Sequence, residues 1–311
     1  MRFMLRDVAH VRVQRKVMLL SLRRCLLLVL ACLPLWVGAA ADARVLTVSV
    51  HGGDAARVAW FSDKLAGMLG ERIRMVPPGG ADVQLALDAQ HFRRRCREGT
   101  RVVGVAIAPQ QVRAVRDDGH RCTALFRGAE PERQLRLLQL LQPGLQRVGV
   151  LLTPDSDWLR TYLLDPADSG EPASLALDFL EVAPRKELAP ALNRLLPRVD
   201  ALLALDETGL YGPNTARLVL LTSYRQRRPV VGPNRSFVQA GSLATTYSGD
   251  IHLARSLAQW LRRLLEQGRL PEPGWPAHFS VTLNEDVLKA YDLPLRDPQD
   301  LAAELRDGEA H

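Results

Sequence analysis

Residues 199–250 contain three short apolar runs, 201–205, 229–232 and 242–247, and each ends in a polar loop that leads into helix-like or turn-like sequence. Runs that are apolar throughout, without alternation, suit strands covered on both faces, which is the habit of parallel sheets. Polar residues then collect at the strands' carboxyl ends, where open α/β sheets bind ligands. A chain of this kind is expected to hold a cleft for a small molecule.

The alternation extends over most of the chain. Strands are expected at 44–50, 73–76, 83–87, 102–108 and 122–126, with helices at 54–69, up to 97, from Pro109, and at 131–142. The helix at 131–142 begins with proline in its first turn and stops before Pro143 and Gly144, both favoured positions. The pattern restarts with a strand at 147–152, a loop at 153–157, an edge strand at 174–182 and a helix at 186–196, followed by the three opening runs. Residues 251–267 make the clearest helix, with Ala254, Leu257, Ala258, Leu261, Leu264 and Leu265 on one stripe and Gly268 beyond its end. A turn-rich stretch, 271–276, leads to a last strand at 278–283 and a short helix.

The expected class is α/β, with two doubly wound Rossmann-like lobes joined by a hinge. The first lobe is read as 44–146 plus about 250–270, and the second as 147–249 plus about 277–295. Crossings are expected near 142–146, 248–251 and 270–277, with 296–311 as a C-terminal tail.

The front of the chain carries an export signal. From Met18, Arg23 and Arg24 precede an apolar stretch at 25–37, and Ala39, Ala40, Ala41, Asp42 and Ala43 close it. A basic start, a short apolar core and a small-residue end define a secretory signal peptide, placing the mature protein in the periplasm with Asp42 or Arg44 first. Residues 1–43 are assigned to this leader, with 1–17 upstream of a start at Met18. A retained membrane helix is the alternative, but 25–41 lies near the roughly 17-residue lower limit for spanning. Lipidation at Cys32 is disfavoured by the bulky Leu30 before it.

Removing the leader changes the charge reading. The chain has 41 basic and 34 acidic residues, of which 1–43 hold seven and two, so the mature part carries 34 against 32. That near-balance argues against a nucleic-acid partner. The arginine-rich stretch 91–97 is read as a solvated helix face.

Cys96 and Cys122 remain after cleavage, at the amino ends of neighbouring expected strands. An oxidising compartment would let them join in a disulfide worth roughly 3–4 kcal/mol, and two separately buried thiols are the alternative.

Several segments resemble ABC-transporter substrate-binding proteins: 143–156, 199–205, 220–232, 238–244, and the closing 279–294 with its asparagine-containing strand and final helix. The group is the type I periplasmic one that includes tryptophan- and tyrosine-binding members. The likeness covers most of 125–295 and is weaker over 44–124. It implies a two-lobed, hinge-closing fold with the ligand between the lobes. Where relatives often read Leu-Pro-Asp, this chain has Leu205, Asp206 and Glu207, which leaves open which acid takes that position.

A ligand held between lobes should meet strand carboxyl ends from both. Candidates are Asp54, Gln110 and Arg127 from the first lobe, and Thr153, Ser156, Asp206, Glu207, Tyr211, Asn234 and Tyr247 from the second. Ser156 and Arg127 suit an anionic group, Asp206 or Glu207 an ammonium, and Tyr211 or Tyr247 an apolar surface. An amino acid is the expected ligand, the permease of an ABC importer the expected partner, and a monomer the expected state. A periplasmic sensor or accessory protein for a TonB-dependent receptor or sensor kinase is the second reading. A two-lobed enzyme is the third, but Gly-x-Gly-x-x-Gly, the P-loop and Gly-x-Ser-x-Gly are missing from the sequence. Histidines stand singly, without His-Glu-x-x-His, so neither a metal nor a cofactor is expected.

Overall fold

A computed structural model describes residues 45–164, 175–183 and 187–309. The leader, the start at Met18 and Cys32 lie outside the described residues.

Residues Val45 onward build two sheets. The first has five parallel strands, β1 (Leu46–His51), β2 (Ile73–Met75), β3 (Val83–Ala86), β4 (Val102–Ile107) and β5 (Thr123–Phe126), in the order β2-β1-β3-β4-β5. The second contains β6 (Arg147–Leu152), β7 (Ala176–Glu181), β8 (Ala201–Leu203), β9 (Val230–Val231), β10 (Ala244–Tyr247) and β11 (Ser280–Leu283). Its order is β11-β10-β9-β8-β6-β7, and only β11 runs antiparallel to its neighbour. The apolar runs explain this directly. Val48, Val50, Leu85, Val103, Val105 and Leu125 are fully covered in the first sheet, as are Val148, Val150, Leu152, Leu202 and Leu203 in the second. Helices on both faces supply the cover that parallel sheets require.

Five helices lie in or near the first sheet's half of the chain: α1 (Ala55–Met68), α2 (Ala89–Arg97), α3 (Pro109–Asp117), α4 (Pro131–Leu141) and, just beyond β6, α5 (Trp158–Leu164). The remainder are α6 (Leu188–Leu195), α7 (Thr208–Tyr211), α8 (Pro213–Arg225), α9 (Arg235–Gln239), α10 (Asp250–Gln267), α11 (Glu285–Ala290) and α12 (Pro298–Glu309). Helix α10 returns to the first sheet, burying Leu253, Ala254, Leu257, Ala258, Leu261 and Leu264 with Val48, Leu85 and Val103. Gly268 ends it in the left-handed conformation, φ 73°, with its N–H donated to the Leu264 carbonyl.

Helix α4 departs from the expected division. Read from the sequence as closing the first lobe, it packs on the second, where Leu137, Leu138 and Leu141 join the core of Val148, Leu203 and Ala244. Gln134, only 1% exposed, explains the choice. Its Nε2 donates to the Gly232 carbonyl at 2.7 Å and to Thr245 Oγ1 at 2.9 Å, while its Oε1 accepts from the Thr246 N–H at 2.7 Å and from Thr246 Oγ1 at 3.0 Å. A buried amide satisfied at both ends holds one register and no other. The first crossing therefore falls between Phe126 and Pro131, ahead of the expected 142–146.

The C-terminal segment differs too. Instead of trailing as a tail, α12 buries Leu301, Ala302 and Leu305 in the second core. Arg133, 4% exposed, pairs with Glu130 at 2.6 Å and with Glu309 at 2.5 Å and lies over the Phe279 ring, tying α12 to α4. The 271–276 connection lines the open edge of β5: the Phe126 N–H donates to the Gly274 carbonyl and the Gly274 N–H to the Ala124 carbonyl. Covering that edge removes a free row of strand hydrogen-bonding groups.

Cys96 and Cys122 come together beneath β4 and β5, their Cα atoms 5.9 Å apart, within the span of a disulfide. Arg93, Arg94 and Arg97 stand exposed on α2, while Phe92 and Cys96 face inward.

Candidate functional site: a cleft between two strand-end surfaces

A cavity of about 770 Å³ is lined by Ala108, Gln110, Gln111 and Arg127 from the first sheet's side and by Thr153, Pro154, Asp155, Asp206, Glu207 and Gly209 from the second's. Small-molecule sites typically run from roughly 300 to 1,000 Å³. Most wall residues lie just beyond a strand's carboxyl end: Ala108 and Gln110 after β4, Arg127 after β5, Thr153 after β6, and Asp206 and Glu207 after β8.

Local structure aims these groups. The β4–β5 pairing shifts register between Val105 and Ile107, where Ala106 adopts a left-handed φ of 56°. Such a bulge bends the strand end and re-aims the residues after it. Helix α3 then starts at Pro109, whose missing N–H is needed by no helical partner. On the opposite wall Thr153 and Ser156 form a reciprocal turn, with the Thr153 N–H donating to Ser156 Oγ at 2.8 Å and the Ser156 N–H to the Thr153 carbonyl at 2.9 Å. Ser156 is fully buried and acts through this turn, outside the cavity lining.

Among the described residues, two side-chain hydrogen bonds cross the cleft. Arg127 Nε donates to Asp206 Oδ2 at 3.0 Å, and Gln110 Nε2 donates to Glu207 Oε1 at 3.3 Å. Thr153 Oγ1 donates to Glu207 Oε2 at 3.1 Å. Burial pushes the Glu207 carboxyl above the usual glutamate range; hydrogen bonds from Thr153 and Ser156 oppose the shift, and Asp206 and Asp155 add to it. Gly128, at φ 86°, passes so close to Asp206 that a Cβ there would sit 2.9 Å from its Cβ and Oδ2.

A smaller recess shares Gln110, Arg127, Asp206 and Glu207 with the cleft and is walled by Trp158, Leu159, Leu205 and Trp275. Trp158 stacks on Trp275, ring centroids 6.4 Å apart, and Tyr162 and Phe126 pack against Trp275 at 5.1 and 4.9 Å. Arg113 covers the Trp158 ring at 4.3 Å. Gln111, Trp158 and Trp275 were missed from the sequence. Trp158, directly after the expected cleft loop 153–157, and Trp275, inside the expected crossing at 270–277, were the available signal.

The structure brings Gln110, Arg127, Thr153, Asp206 and Glu207 to one cavity and sends other candidates elsewhere. Tyr211 is 4% exposed and packs edge-to-face on Phe237 in a separate core cluster of the second sheet, with Leu202 and Val230, because its helical turn points it inward from the cleft loop. Asn234 caps α9, accepting the Phe237 N–H at 3.1 Å. Asp54 does the same for α1, accepting the Arg57 N–H at 2.7 Å. Tyr247 lies beneath the Arg235 guanidinium, 4.8 Å from it, and against His252. None of these four lines the cavity. Among the described residues, no group of three or more His, Cys, Asp or Glu is placed to hold a metal ion.

Two parallel-sheet lobes with a cleft at their strand ends define the type I periplasmic binding protein fold, and comparison with solved structures shows the same fold. A substrate binding protein with adhesive properties from Clostridium difficile, in its ligand-free, open form, matches with a TM-score of 0.59 and 13% identity, over 81% of this chain and 96% of that one. An ABC domain in complex with L-Trp from Streptococcus pneumoniae gives 0.51 and 16%, over 81% and 95%. A conserved domain protein from Vibrio cholerae gives 0.50 and 13%, over 83% and 98%. No protein-family model and no curated protein matches the chain.

Proposed function

We propose that this chain is an exported solute-binding protein that captures a small molecule between its lobes and delivers it to an ABC-type importer. The observation that carries the reading is the cleft itself, lined by strand ends of both sheets and spanned by the Arg127–Asp206 and Gln110–Glu207 contacts. Groups from two lobes on one cavity suit capture by closure, since a ligand touching both walls favours the closed form. Two of the solved structures with this fold are named for binding, one as a substrate binding protein and one as an ABC domain with L-Trp. Binding without turnover, a periplasmic location reached through the leader, and a monomeric state complete the proposal.

The test is native purification from the periplasmic fraction, mass spectrometry of whatever small molecule copurifies, and small-angle scattering of stripped protein with and without it. A copurifying compound whose return shrinks the radius of gyration is the expected result. Turnover of that compound into a product by the purified protein would overturn the reading.

A further inference from the structure

We infer that the cleft takes an organic cation lacking a carboxylate, an amine whose ammonium meets Glu207. This rests on the solute-binding reading above and names the ligand's class.

The charge on the walls is unequal. Asp155, Asp206 and Glu207 line the cavity against a single cation, Arg127, and Asp206 already holds that cation at 3.0 Å. Glu207 meets only neutral donors, Gln110 and Thr153, with Ser156 behind them. Closing the lobes over a neutral ligand would take this carboxylate further out of water without a counter-charge, which is costly. A ligand carboxylate would fare worse, facing three acids with Arg127 engaged. The amino end of α3 adds at most about half a charge, and the Arg113 guanidinium lies over the Trp158 ring without lining the cavity. An ammonium resolves the imbalance, since it donates to Glu207 and leaves Arg127 with Asp206. The recess beside Glu207 has only about 20 Å³, room for roughly one water, so the amine's carbon skeleton lies in the main cavity alongside Ala108 and Pro154.

Calorimetry on the stripped, folded protein with matched pairs tests this: tryptamine against L-tryptophan and agmatine against L-arginine, with ribose as a neutral probe. At least one amine should bind tenfold or more tighter than its amino acid. Glu207→Gln, shown to be folded by circular dichroism, should weaken that amine by tenfold or more, and Asp155→Asn, at an exposed position, by less. Tighter binding of an amino acid or of ribose, or an unchanged amine affinity in Glu207→Gln, would overturn the inference while leaving solute binding intact. Should no probe bind, the charge of the copurifying compound decides. A cation supports the inference, and a neutral, zwitterionic or anionic compound defeats it. No binding by any probe, no copurifying compound and no closure in scattering would remove the solute-binding reading and the inference together.

Discussion

Arg127 and Asp206 join the two lobes at their strand ends, guanidinium Nε to carboxylate Oδ2 at 3.0 Å, with Gly128 pressed against the same aspartate. The Arg127 side chain is half exposed, so solvent screens the pair and it contributes little to folding. Its place across the cleft makes it a bias on closure instead. Arg127→Ala is expected to shift thermal stability by no more than about 1 kcal/mol, while small-angle scattering of the ligand-free protein shows a larger radius of gyration. An unchanged scattering profile would refute this.

Gly128→Ala should be more damaging than Arg127→Ala. The backbone φ of 86° disfavours any side chain, and the new Cβ would lie 2.9 Å from Asp206. A loss of about 1–3 kcal/mol is expected from the strained conformation alone, read from denaturant midpoints. Wild-type stability in this variant would mean that the crossing segment relaxes freely.

Glu207 sets a pH dependence whose sign comes from burial. Its carboxyl is raised above the ordinary value of 4.5, so the folded state holds the proton more tightly than the unfolded chain. The resulting destabilisation is fully present above the raised value and disappears as pH falls toward 4.5. Glu207→Gln should therefore be more stable than wild type at neutral pH, with the difference shrinking as pH falls toward 4.5. Parallel stability curves across pH 4–8 would contradict the assignment.

We propose that Cys96 and Cys122 form a disulfide. Their separation of 26 residues corresponds to about 3–4 kcal/mol in the chain-entropy model. Non-reducing peptide mapping of periplasmic protein should find the two peptides linked, and Cys96→Ala/Cys122→Ala should melt at lower temperature. Free alkylation of both thiols without reductant would reject the bridge.

The C-terminal helix is part of the second core. Leu301→Ala removes a fully buried side chain and should cost about 2–5 kcal/mol. Arg133→Met should also destabilise, because Glu130 and Glu309 would lose their shared cation inside the protein. If a chain ending at residue 296 unfolded at the same denaturant concentration as the full chain, α12 would be dispensable and its packing energetically idle.

Much of the architecture was legible from residue order alone. Unbroken apolar runs such as 201–205 declared strands covered on both faces, and Pro131 and Gly268 marked helix ends that the structure shows at those places. Strand carboxyl ends pointed to Gln110, Arg127, Thr153, Asp206 and Glu207, which do line one cavity. The same rule also nominated Tyr211, Asn234, Asp54 and Tyr247, since proximity to a strand end does not say which way a side chain turns. A cap needs Asn234 or Asp54 locally, and a core needs the Tyr211 ring, and both demands take precedence over facing the cleft.

What the sequence determined by itself was the α/β class, the parallel sheets and the loops from which a site is built, because periodicity and caps are local properties of the chain. Only the tertiary structure decided that α4 and α12 serve the second sheet, that Trp158 and Trp275 stack beside the acids, and that Glu207 faces neutral donors alone. An apolar helix stripe looks the same whichever sheet it covers. The choice depends on partners far away in sequence, such as the backbone and hydroxyl groups at Gly232, Thr245 and Thr246 that claim Gln134.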